Sequence, residues 1–339
     1  MDTIGLDLHK RESQLCVLAP DGTAKEQRIL TTRERFTAVL GPLAPATVLL
    51  EASTESEWVA RHLETLGLTV IVADPNYAPM YATRARRVKT DRRDARTLAE
   101  ACRLGAYRRA HRLSDARRHV RAELAVREAL VRTRTRYIAI AKSFVRRDGL
   151  RVAERIAALE LSPTLAAELA PLFALLAPLN AEIAAADARI AQLTAADPVV
   201  ALLTTAPGIG PITASALVAT IDDITRFRSA HEFEAYLGVV PGERSSGEKR
   251  RVGRITKAGN ARVRWLLVEA GWRIVRSRSE ETAALRAWAV GIAVRRGKRV
   301  AVVALARRLA GILYAMWREG VAYDGRKVRA PRPRAVPAA

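Results

Sequence analysis

The chain has 339 residues, 49% of them hydrophobic, with a formal net charge of +22 and a pI near 11.1. This length allows more than one domain with its own core. Its two cysteines, Cys16 and Cys102, exclude a disulfide framework and a cysteine-rich zinc cluster. Charges interrupt any N-terminal apolar run, so no signal peptide is predicted. The sequence therefore predicts a soluble, cytoplasmic protein.

The basic excess is concentrated in two blocks of the chain. Residues 84–155 carry a net charge of +15 and residues 241–339 carry +17, whereas 1–83 and 156–240 carry −4 and −6. An arginine-rich composition with solvated faces would not leave the intervening segments acidic. Lysine and arginine neutralise phosphates and release counterions, so the blocks predict a polyanionic partner, DNA or RNA.

Strands alternate with helices in the first 75 residues. The predicted elements are two strands within 3–19 that end before the Pro20-Asp21-Gly22 turn, helices at 32–42 and 54–66, and strands at 46–51 and 69–73. This order predicts an α/β domain with a central sheet. Asp7 lies between two leucines of the first strand, where a lone carboxylate is costly unless a cation pairs with it. Glu51 ends the third predicted strand.

The stretch Lys89-Thr90-Asp91-Arg92-Arg93-Asp94-Ala95 sets two carboxylates three residues apart, on one face of a helix, in a very basic region. Two interpretations fit it. In one, Thr90 or Asp91 caps the helix and Asp94 completes the acidic first turn. In the other, Asp91 and Asp94 point together toward a ligand.

The rest of the chain is predicted to be mainly helical. Residues from about 95 to 160 form an arginine-rich helical region, and 161–195 form a helical hairpin or coiled-coil arm interrupted at Pro163, Pro171 and Pro178. Residues 261–317 are predicted to be helices, with the tryptophans Trp265, Trp272, Trp288 and Trp317 in the core. The segment from Arg326 to Ala339 is predicted to be a disordered basic tail.

Two glycine-containing segments interrupt the second half. Residues 203–214 resemble the hairpin of a helix-hairpin-helix element, in which Gly208 and Gly210 would let backbone N–H groups hold a phosphate; an ordinary turn between helices is the alternative. Residues 243–260 are predicted to be a glycine-punctuated loop with six cations and two adjacent serines, Ser245 and Ser246.

Phosphoryl transfer needs carboxylates that converge on Mg²⁺, and Asp7, Glu51, Asp91 and Asp94 are candidates for such a set. A metal would also explain why four acids gather despite their repulsion. Either serine of the cationic loop is a candidate nucleophile for a phosphodiester, with arginines offsetting the developing charge. A plain Ser-Ser-Gly turn is the alternative.

Five motifs occur in order: Gly-Leu-Asp-Leu-His-Lys, Leu-Glu-Ala-Ser, Lys-Thr-Asp-Arg-Arg-Asp-Ala, Ala-Pro-Gly-Ile-Gly, and a Ser-Gly segment followed by Gly-x-Ile-x-Lys-x-Gly-Asn. Together they resemble the DEDD transposases of the insertion-sequence 110 family, from residue 3 to about 320. The resemblance implies a RuvC-like (RNase H-like) α/β domain at 1–110 and a helical coiled-coil arm at 111–195. It further implies a mostly helical transposase domain with a catalytic serine at 196–325, followed by the tail at 326–339.

The resemblance also assigns roles. It implies that Asp7, Glu51, Asp91 and Asp94 bind the metal and that Ser246, directly before Gly247, becomes covalently joined to DNA, although Ser245 stays open. A structured noncoding RNA would guide donor and target DNA by base pairing, leaving the protein to hold backbone. The predicted nucleic-acid-binding residues are Arg84, Arg86, Arg87, Lys89, Arg92, Arg93, Gly208, Gly210, Arg244, Lys249, Arg250, Arg251, Arg254 and Lys257.

Family members work as dimers that pair into tetramers, with the acidic site of one subunit approaching the serine of another, and the 161–195 arm is the candidate contact. The leading hypothesis is thus an RNA-guided DNA recombinase of a mobile element, without a membrane partner. The runner-up is a metal-dependent RuvC-like nuclease, a junction resolvase in which the serine only binds phosphate. A catalytically inactive nucleic-acid-binding protein is the third alternative.

Overall fold

A computed structural model describes residues 1–81, 90–151, 159–246 and 249–327, with the backbone alone from 244 to 252. The chain forms two compact units, Met1–Arg112 and Leu113–Ala339. The finer division into domains made from the sequence stays a prediction.

The N-terminal unit is a mixed α/β domain. Its elements are β1 (Thr3–Asp7), β2 (Glu12–Leu18), β3 (Ala24–Leu30), α1 (Arg33–Leu40), β4 (Thr47–Glu51), α2 (Ser56–Thr65), β5 (Thr69–Ala73) and α3 (Asp91–Leu104). The strands form one sheet in the order β3-β2-β1-β4-β5, in which β1, β4 and β5 are parallel and β2 is antiparallel to both its neighbours. The predicted central sheet is confirmed.

Strand β3 was not predicted from the sequence. Its residues, Ala-Lys-Glu-Gln-Arg-Ile-Leu, bury only one side chain, that of Ile29, so neither an apolar run nor a clean alternation marks it. It forms because β2 offers a free edge, and the two strands pair along their whole length from Glu12–Leu30 to Leu18–Ala24. Backbone hydrogen bonds to an existing sheet need no apolar face.

Helices cover both faces of the sheet. Alternate strand residues such as Ile4, Leu6, Val48 and Leu50 pack against α1 and α2, and the intervening ones pack against α3. The parity of the strands decides the face, since successive side chains point to opposite sides. The two cysteines lie on the α3 face, buried as predicted, and burial raises the pKa of both thiols to about 11.

Helix α3 approaches the sheet unusually closely, and Gly5 in the middle of β1 makes this approach possible. A Cβ atom at Gly5 would lie 2.0 Å from the carbonyl oxygen of Ala95 and 2.4 Å from the backbone nitrogen of Ala99. The helix presents only small residues here, and both alanines are fully buried. Backbone therefore packs directly on backbone, which fixes the height of α3 above β1.

The C-terminal unit is mainly helical in the part that the structure describes. Its elements are α4 (Asp115–Arg147), α5 (Pro163–Thr194), α6 (Pro198–Thr204), α7 (Pro211–Ile221), α8 (Ala230–Tyr236), β6 (Pro241–Ser246), β7 (Lys249–Ile255), α9 (Ala261–Arg276), α10 (Ala283–Arg296) and α11 (Lys298–Glu319). Helix α11 lies in its core, where Leu305, Leu309 and Leu313 are fully buried.

Helices α4 and α5 form a long antiparallel hairpin held by polar contacts along its length. Arg189 pairs with Glu123 at 3.0 Å, Arg134 donates to Asn180 at 2.9 Å, and Arg147 pairs with Glu168 at 2.6 Å. Arg127 pairs with Asp187 in the same series. Several arginines of the first basic block are thus neutralised within the hairpin.

The predicted interruption of the 161–195 segment is wrong, because α5 is continuous through Pro171 and Pro178. Pro163 stands at the start of the helix, where its missing N–H costs nothing. The two internal prolines are both exposed and lie two turns apart on one side of the helix. Water can therefore solvate the carbonyls that each proline leaves unpaired.

The predicted loop at 243–260 is also wrong over much of its length, because β6 and β7 form an antiparallel hairpin. Its sequence lacks apolar alternation, so only backbone pairing identifies it. The base of the hairpin is fixed: Thr256 N–H donates to Val240 at 2.9 Å and Lys257 N–H donates to Gly238 at 3.1 Å. A Cβ atom at Gly238 would lie 2.0 Å from the carbonyl oxygen of Ala258.

The prediction of four core tryptophans is wrong at Trp265, which is 53% exposed. The buried stripe of α9 runs through Val263, Leu266, Ala270 and Ile274, and position 265 lies off that stripe. Trp288 and Trp317 pack against the core as predicted.

Two helices, α5 and α11, are long and apolar enough to cross a membrane by composition, with mean hydropathies of 1.6 and 1.5 in their most apolar windows. This is weak evidence for a span, since a core helix passes the same test, and α11 is such a helix.

We expect Gly5→Ala to destabilise the protein by about 3 kcal/mol, because the new methyl group would have to push the α3 backbone away from β1. Chemical denaturation measures the change. Gly41→Ala is the matched control: a Cβ atom there meets nothing within 4 Å, and its φ of −53° suits alanine. We expect the control to stay within about 0.5 kcal/mol of wild type; equal losses in both variants would contradict the packing argument.

Candidate nucleic-acid-processing site

Two of the predicted acids stand at the same edge of the sheet. Asp7 is the last residue of β1 and Glu51 the last of β4, and the parallel register that pairs Leu6 with Leu50 sets them side by side. Both share the parity of Gly5 and Leu49, whose face of the sheet packs against α3. The sheet therefore delivers two carboxylates to the α3 side of its carboxyl edge.

The other two acids lie in the first turn of α3. Thr90 caps this helix, accepting a hydrogen bond from the backbone N–H of Arg93 at 3.4 Å. The cap is thus threonine rather than Asp91, which decides between the two residues considered for capping. Asp91 and Asp94 also have the sign that a helix N-terminus favours.

His9 completes the cluster, just after the end of β1. Its Nε2 atom lies 3.4 Å from Asp7 Oδ2 and 3.7 Å from Asp91 Oδ1. One potential ligand atom from each of these three residues lies within 4.8 Å of the others. His9 thus joins the strand acid to the helix acid.

The four acids influence one another electrically. The pKa of Asp7 is raised to about 6, first by burial and then by the charges of Asp94, Asp91 and Glu51, while His9 opposes the rise. At neutral pH such a carboxyl group is charged, and its ionisation in the folded protein costs free energy. The structure thus brings all four predicted acids into one electrostatic cluster.

A divalent cation fits this donor set. Hard cations prefer carboxylate oxygens, and a positive ion would remove both the desolvation cost and the mutual repulsion at Asp7. His9 adds a nitrogen donor, which first-row transition metals accept more readily than magnesium does.

Sequence reasoning missed His9 and Tyr81. The hydroxyl group of Tyr81 donates a hydrogen bond of 2.6 Å to Glu51 Oε1 and so orients that carboxylate. The spacing of His9, two residues after the strand aspartate, was the only available signal for it. Tyr81 is thirty residues from its partner, so no local pattern identifies it.

The helix-hairpin-helix prediction falls on the turn between α6 and α7. Gly208 has a φ of +77°, and a Cβ atom there would lie 3.0 Å from the Ala270 carbonyl oxygen of α9. Gly210 is the N-cap of α7, followed by Pro211. The packing of the turn against α9 thus accounts for Gly208 without a phosphate.

The serines lie at the end of the β6–β7 hairpin. The backbone register pairs Ser245 with Arg250 and Ser246 with Lys249. Both serines therefore lie at the end of β6, and Gly247 lies outside the described residues.

The predicted cationic residues differ in their surroundings. Arg92 pairs with Glu26 at 2.8 Å while 72% of its side chain stays exposed, and Arg93, Arg254 and Lys257 are exposed. The structure gives only the backbone of Arg244, Lys249, Arg250 and Arg251. Arg84, Arg86, Arg87 and Lys89 lie outside the described residues.

Comparison with known proteins identifies the class. Residues 4–147 match the sequence model of the DEDD transposases of the IS110 type, and residues 200–286 match that of the transposase IS116/IS110/IS902 family. Among curated proteins, a probable family 20 transposase of Pseudomonas aeruginosa is 32% identical over 93% of this chain and 96% of its own length.

Two further relatives are named for the elements that encode them. The transposase for insertion sequence element IS1328 of Yersinia enterocolitica is 28% identical, over 95% of this chain and 98% of its own. The transposase for insertion sequence element IS1111A of Coxiella burnetii is 26% identical, over 92% of this chain and 88% of its own length. The chain belongs to the IS110 family of insertion-sequence transposases, and it is a DNA transposase.

We expect Asp7→Asn to stabilise the metal-free protein by about 1–3 kcal/mol at pH 7–8. The folded pKa of about 6 lies above the ordinary value of 3.8, so the folded state binds the extra proton. Wild-type stability should therefore fall as pH rises from about 4 to 6 and the cost should persist above pH 6. Thermal unfolding in a chelator at several pH values measures this.

Asp21→Asn is the control for that experiment. Asp21 is exposed, and the backbone N–H of Thr23 lowers its pKa. We therefore expect no gain in stability from this variant. A gain in the control, or none in Asp7→Asn, would contradict the electrostatic argument.

We expect Tyr81→Phe to lower the affinity for a divalent cation roughly tenfold, because Glu51 would lose the donor that orients it. Calorimetric titration with Mn²⁺ measures the affinity. Tyr77→Phe is the matched control, since Tyr77 contacts Arg108 through its ring face. Unchanged affinity in Tyr81→Phe would show that the hydrogen bond does not orient a ligand.

Proposed function

We propose that this transposase cuts and rejoins DNA through Ser246, assisted by Mg²⁺ held by Asp7, Glu51, Asp91 and Asp94. The observation that carries the proposal is the convergence of these four acids, from two strand ends and one helix turn, around a carboxyl group with a raised pKa. Holding four carboxylates close together, with Asp7 partly buried, is costly without a cation, so a structural role alone does not account for the cluster.

The N-terminal unit is proposed to be RuvC-like. Support comes from the strand order β3-β2-β1-β4-β5 with only β2 antiparallel, and from the acids at the carboxyl ends of the central parallel strands. Ligands of open α/β sheets bind at this edge.

In the proposed reaction, Ser246 Oγ attacks the scissile phosphorus, its proton leaves to a nearby base or water, and one hydroxyl end of the strand departs. A phosphoserine ester to DNA results. A hydroxyl end of the partner strand then attacks the same phosphorus, expels Ser246 and seals the new junction. When bound, the metal supplies charge stabilisation at the phosphate. The arginines and lysines of the hairpin offset the charge of the pentacoordinate phosphorus.

The proposal includes a structured guide RNA and an assembly of dimers paired into tetramers, in which Ser246 and the acidic cluster come from different subunits. Support for assembly through the arm comes from α5, whose most apolar window has a mean hydropathy of 1.6 yet is only 17% buried. Exposed apolar surface of that extent favours a protein contact. Two separate basic blocks support more than one nucleic-acid partner. Family membership supports a cytoplasmic location.

A metal-dependent RuvC-like nuclease is the second candidate. It is favoured by the acidic cluster, which needs no serine to support hydrolysis by a metal-activated water. In that reaction water adds to the phosphorus, one hydroxyl end leaves, and the protein never becomes attached to DNA.

A covalent-adduct assay separates the two candidates. The protein is incubated with its flanking RNA, Mg²⁺, and donor and target DNA, then denatured and examined for DNA that migrates with protein. We expect an adduct with wild type and with Ser245→Ala, and at least a hundredfold less with Ser246→Ala and Asp7→Ala.

Metal-dependent cleavage without an adduct, undiminished in Ser246→Ala, would replace the proposal with the nuclease. An adduct lost in Ser245→Ala but kept in Ser246→Ala would move the nucleophile by one residue. DNA binding with neither cleavage nor adduct would identify an inactive nucleic-acid-binding protein.

A further inference from the structure

A groove of about 1070 Å³ lies in the C-terminal unit, between the base of the β6–β7 hairpin and the junction of α10 and α11. Apolar residues such as Ile255, Ile292 and Val303 line it. The cations that line it are Arg254, Lys257, Arg295, Arg296, Arg299 and Arg307. No acidic residue is among the described residues that line the groove. We call it the hairpin groove.

Five of these six cations are available to a ligand. Arg307 pairs with Glu234 at 2.6 Å. The other five are exposed, and none forms an ion pair with a carboxylate in the part of the chain that the structure describes. Elsewhere in this unit arginines are routinely paired with acids, as in the α4–α5 hairpin. The hairpin groove is thus a place where positive charge has been left uncompensated.

The turn between α10 and α11 carries four cations within five residues. Arg295 and Arg296 end α10, Gly297 turns the chain with a φ of +82°, and Lys298 and Arg299 open α11. Cations in the first turn oppose the helix dipole, and no acid stands there to offset them. Arg295 and Arg296, at the end of α10, suit the helix dipole, whereas the placement of Lys298 and Arg299 is explained if an anion binds there.

We propose that the hairpin groove holds the sugar-phosphate backbone of the DNA strand that the serine attacks. This deepens the proposed function and rests on it. The groove and Ser246 belong to one hairpin, since Pro241, at the start of β6, and Gly253–Ile255, at the end of β7, border the groove while Ser246 ends β6. A DNA strand that runs along the hairpin to Ser246 therefore passes the groove.

The apolar floor favours DNA over RNA. Val300, 51% exposed, lies in the groove with Val303 and Ala304. Deoxyribose can pack against such a floor, whereas the 2′-hydroxyl of ribose would need a hydrogen-bond partner there. Charges on the rim and an apolar floor together match a deoxyribose-phosphate chain.

The hairpin also sets a distance. Five strand steps separate Pro241 from Ser246, which corresponds to roughly 17 Å. Successive phosphates of one strand are about 3.4 Å apart along the axis of duplex DNA. With the duplex axis along the hairpin, the groove should therefore contact phosphates centred about five nucleotides from the scissile one.

The test compares two triple variants of the full-length protein. Arg295→Ala/Arg296→Ala/Arg299→Ala removes three groove cations. Arg273→Ala/Arg276→Ala/Arg278→Ala removes three exposed arginines from α9 and the residues after it, outside the groove, and so matches the loss of net charge. Fluorescence anisotropy with labelled DNA of the element end, in the presence of the flanking RNA and over a series of salt concentrations, gives the slope of log affinity against log salt. Circular dichroism verifies folding of both variants.

We expect the groove variant to lose about two to three units of slope, near one per phosphate contact, and the control to lose less than one. Phosphate-ethylation interference on the same DNA should show a group of sensitive phosphates about five nucleotides from the cut in wild type and the control. That group should disappear in the groove variant.

Equal slope losses in the two variants would overturn the groove assignment, as would interference unchanged in the groove variant. So would a loss confined to a guide-RNA probe with DNA affinity retained. Wild type that bound no DNA would instead remove the proposed function and the groove with it.

Discussion

The contact of α3 with β1 at Gly5 controls the acidic site. Because a Cβ atom there would overlap the α3 backbone, the helix can sit this low on the sheet only over glycine. The low position brings the first turn of α3 to the carboxyl edge, where β1 and β4 end. Two acids from strands and two from a helix can then share one volume. Without the contact at Gly5, the four acids would lie apart as separate surface charges.

In the part of the chain that the structure describes, His9 is the group that opposes the raised pKa of Asp7. Asp7 is partly buried near three other acids, and His9 is charged only when protonated. Arginines stand close by in sequence, yet Arg92 pairs away from the cluster, with Glu26 on β3. The acidic cluster therefore lowers the stability of the N-terminal unit, and the cores on both faces of the sheet offset this loss.

The sequence was most informative where one physical signal dominated. Strands β1, β4 and β5 were predictable because their apolar runs are buried on both faces. The four acids were predictable as a set because strand ends and one helix turn meet at a known edge. Strand β3 and the β6–β7 hairpin were not, because backbone pairing holds them and leaves no apolar pattern. Tyr81 depends on a contact that only the folded chain creates.

The continuity of α5 illustrates a different limit. Proline usually interrupts a helix, but the packing of α5 along α4 outweighs the hydrogen bonds lost at Pro171 and Pro178 on the exposed side. Trp265 shows the converse, because an apolar residue among apolar neighbours still points outward when its angle on the helix is wrong. Whether local preference or tertiary packing determines the conformation can be predicted only when the packing partner of each helix is known.

The ladder of polar contacts between α4 and α5 has a consequence for how such an arm can change in length. Each step along α4 is matched by an equal step back along α5, from Glu123–Arg189 near the base to Arg147–Glu168 near the far end. A residue inserted into one helix alone would rotate every later partner by about 100° and break the ladder. The arm can therefore change in length and keep this ladder only if the change lies beyond the last contact or is made equally in both helices.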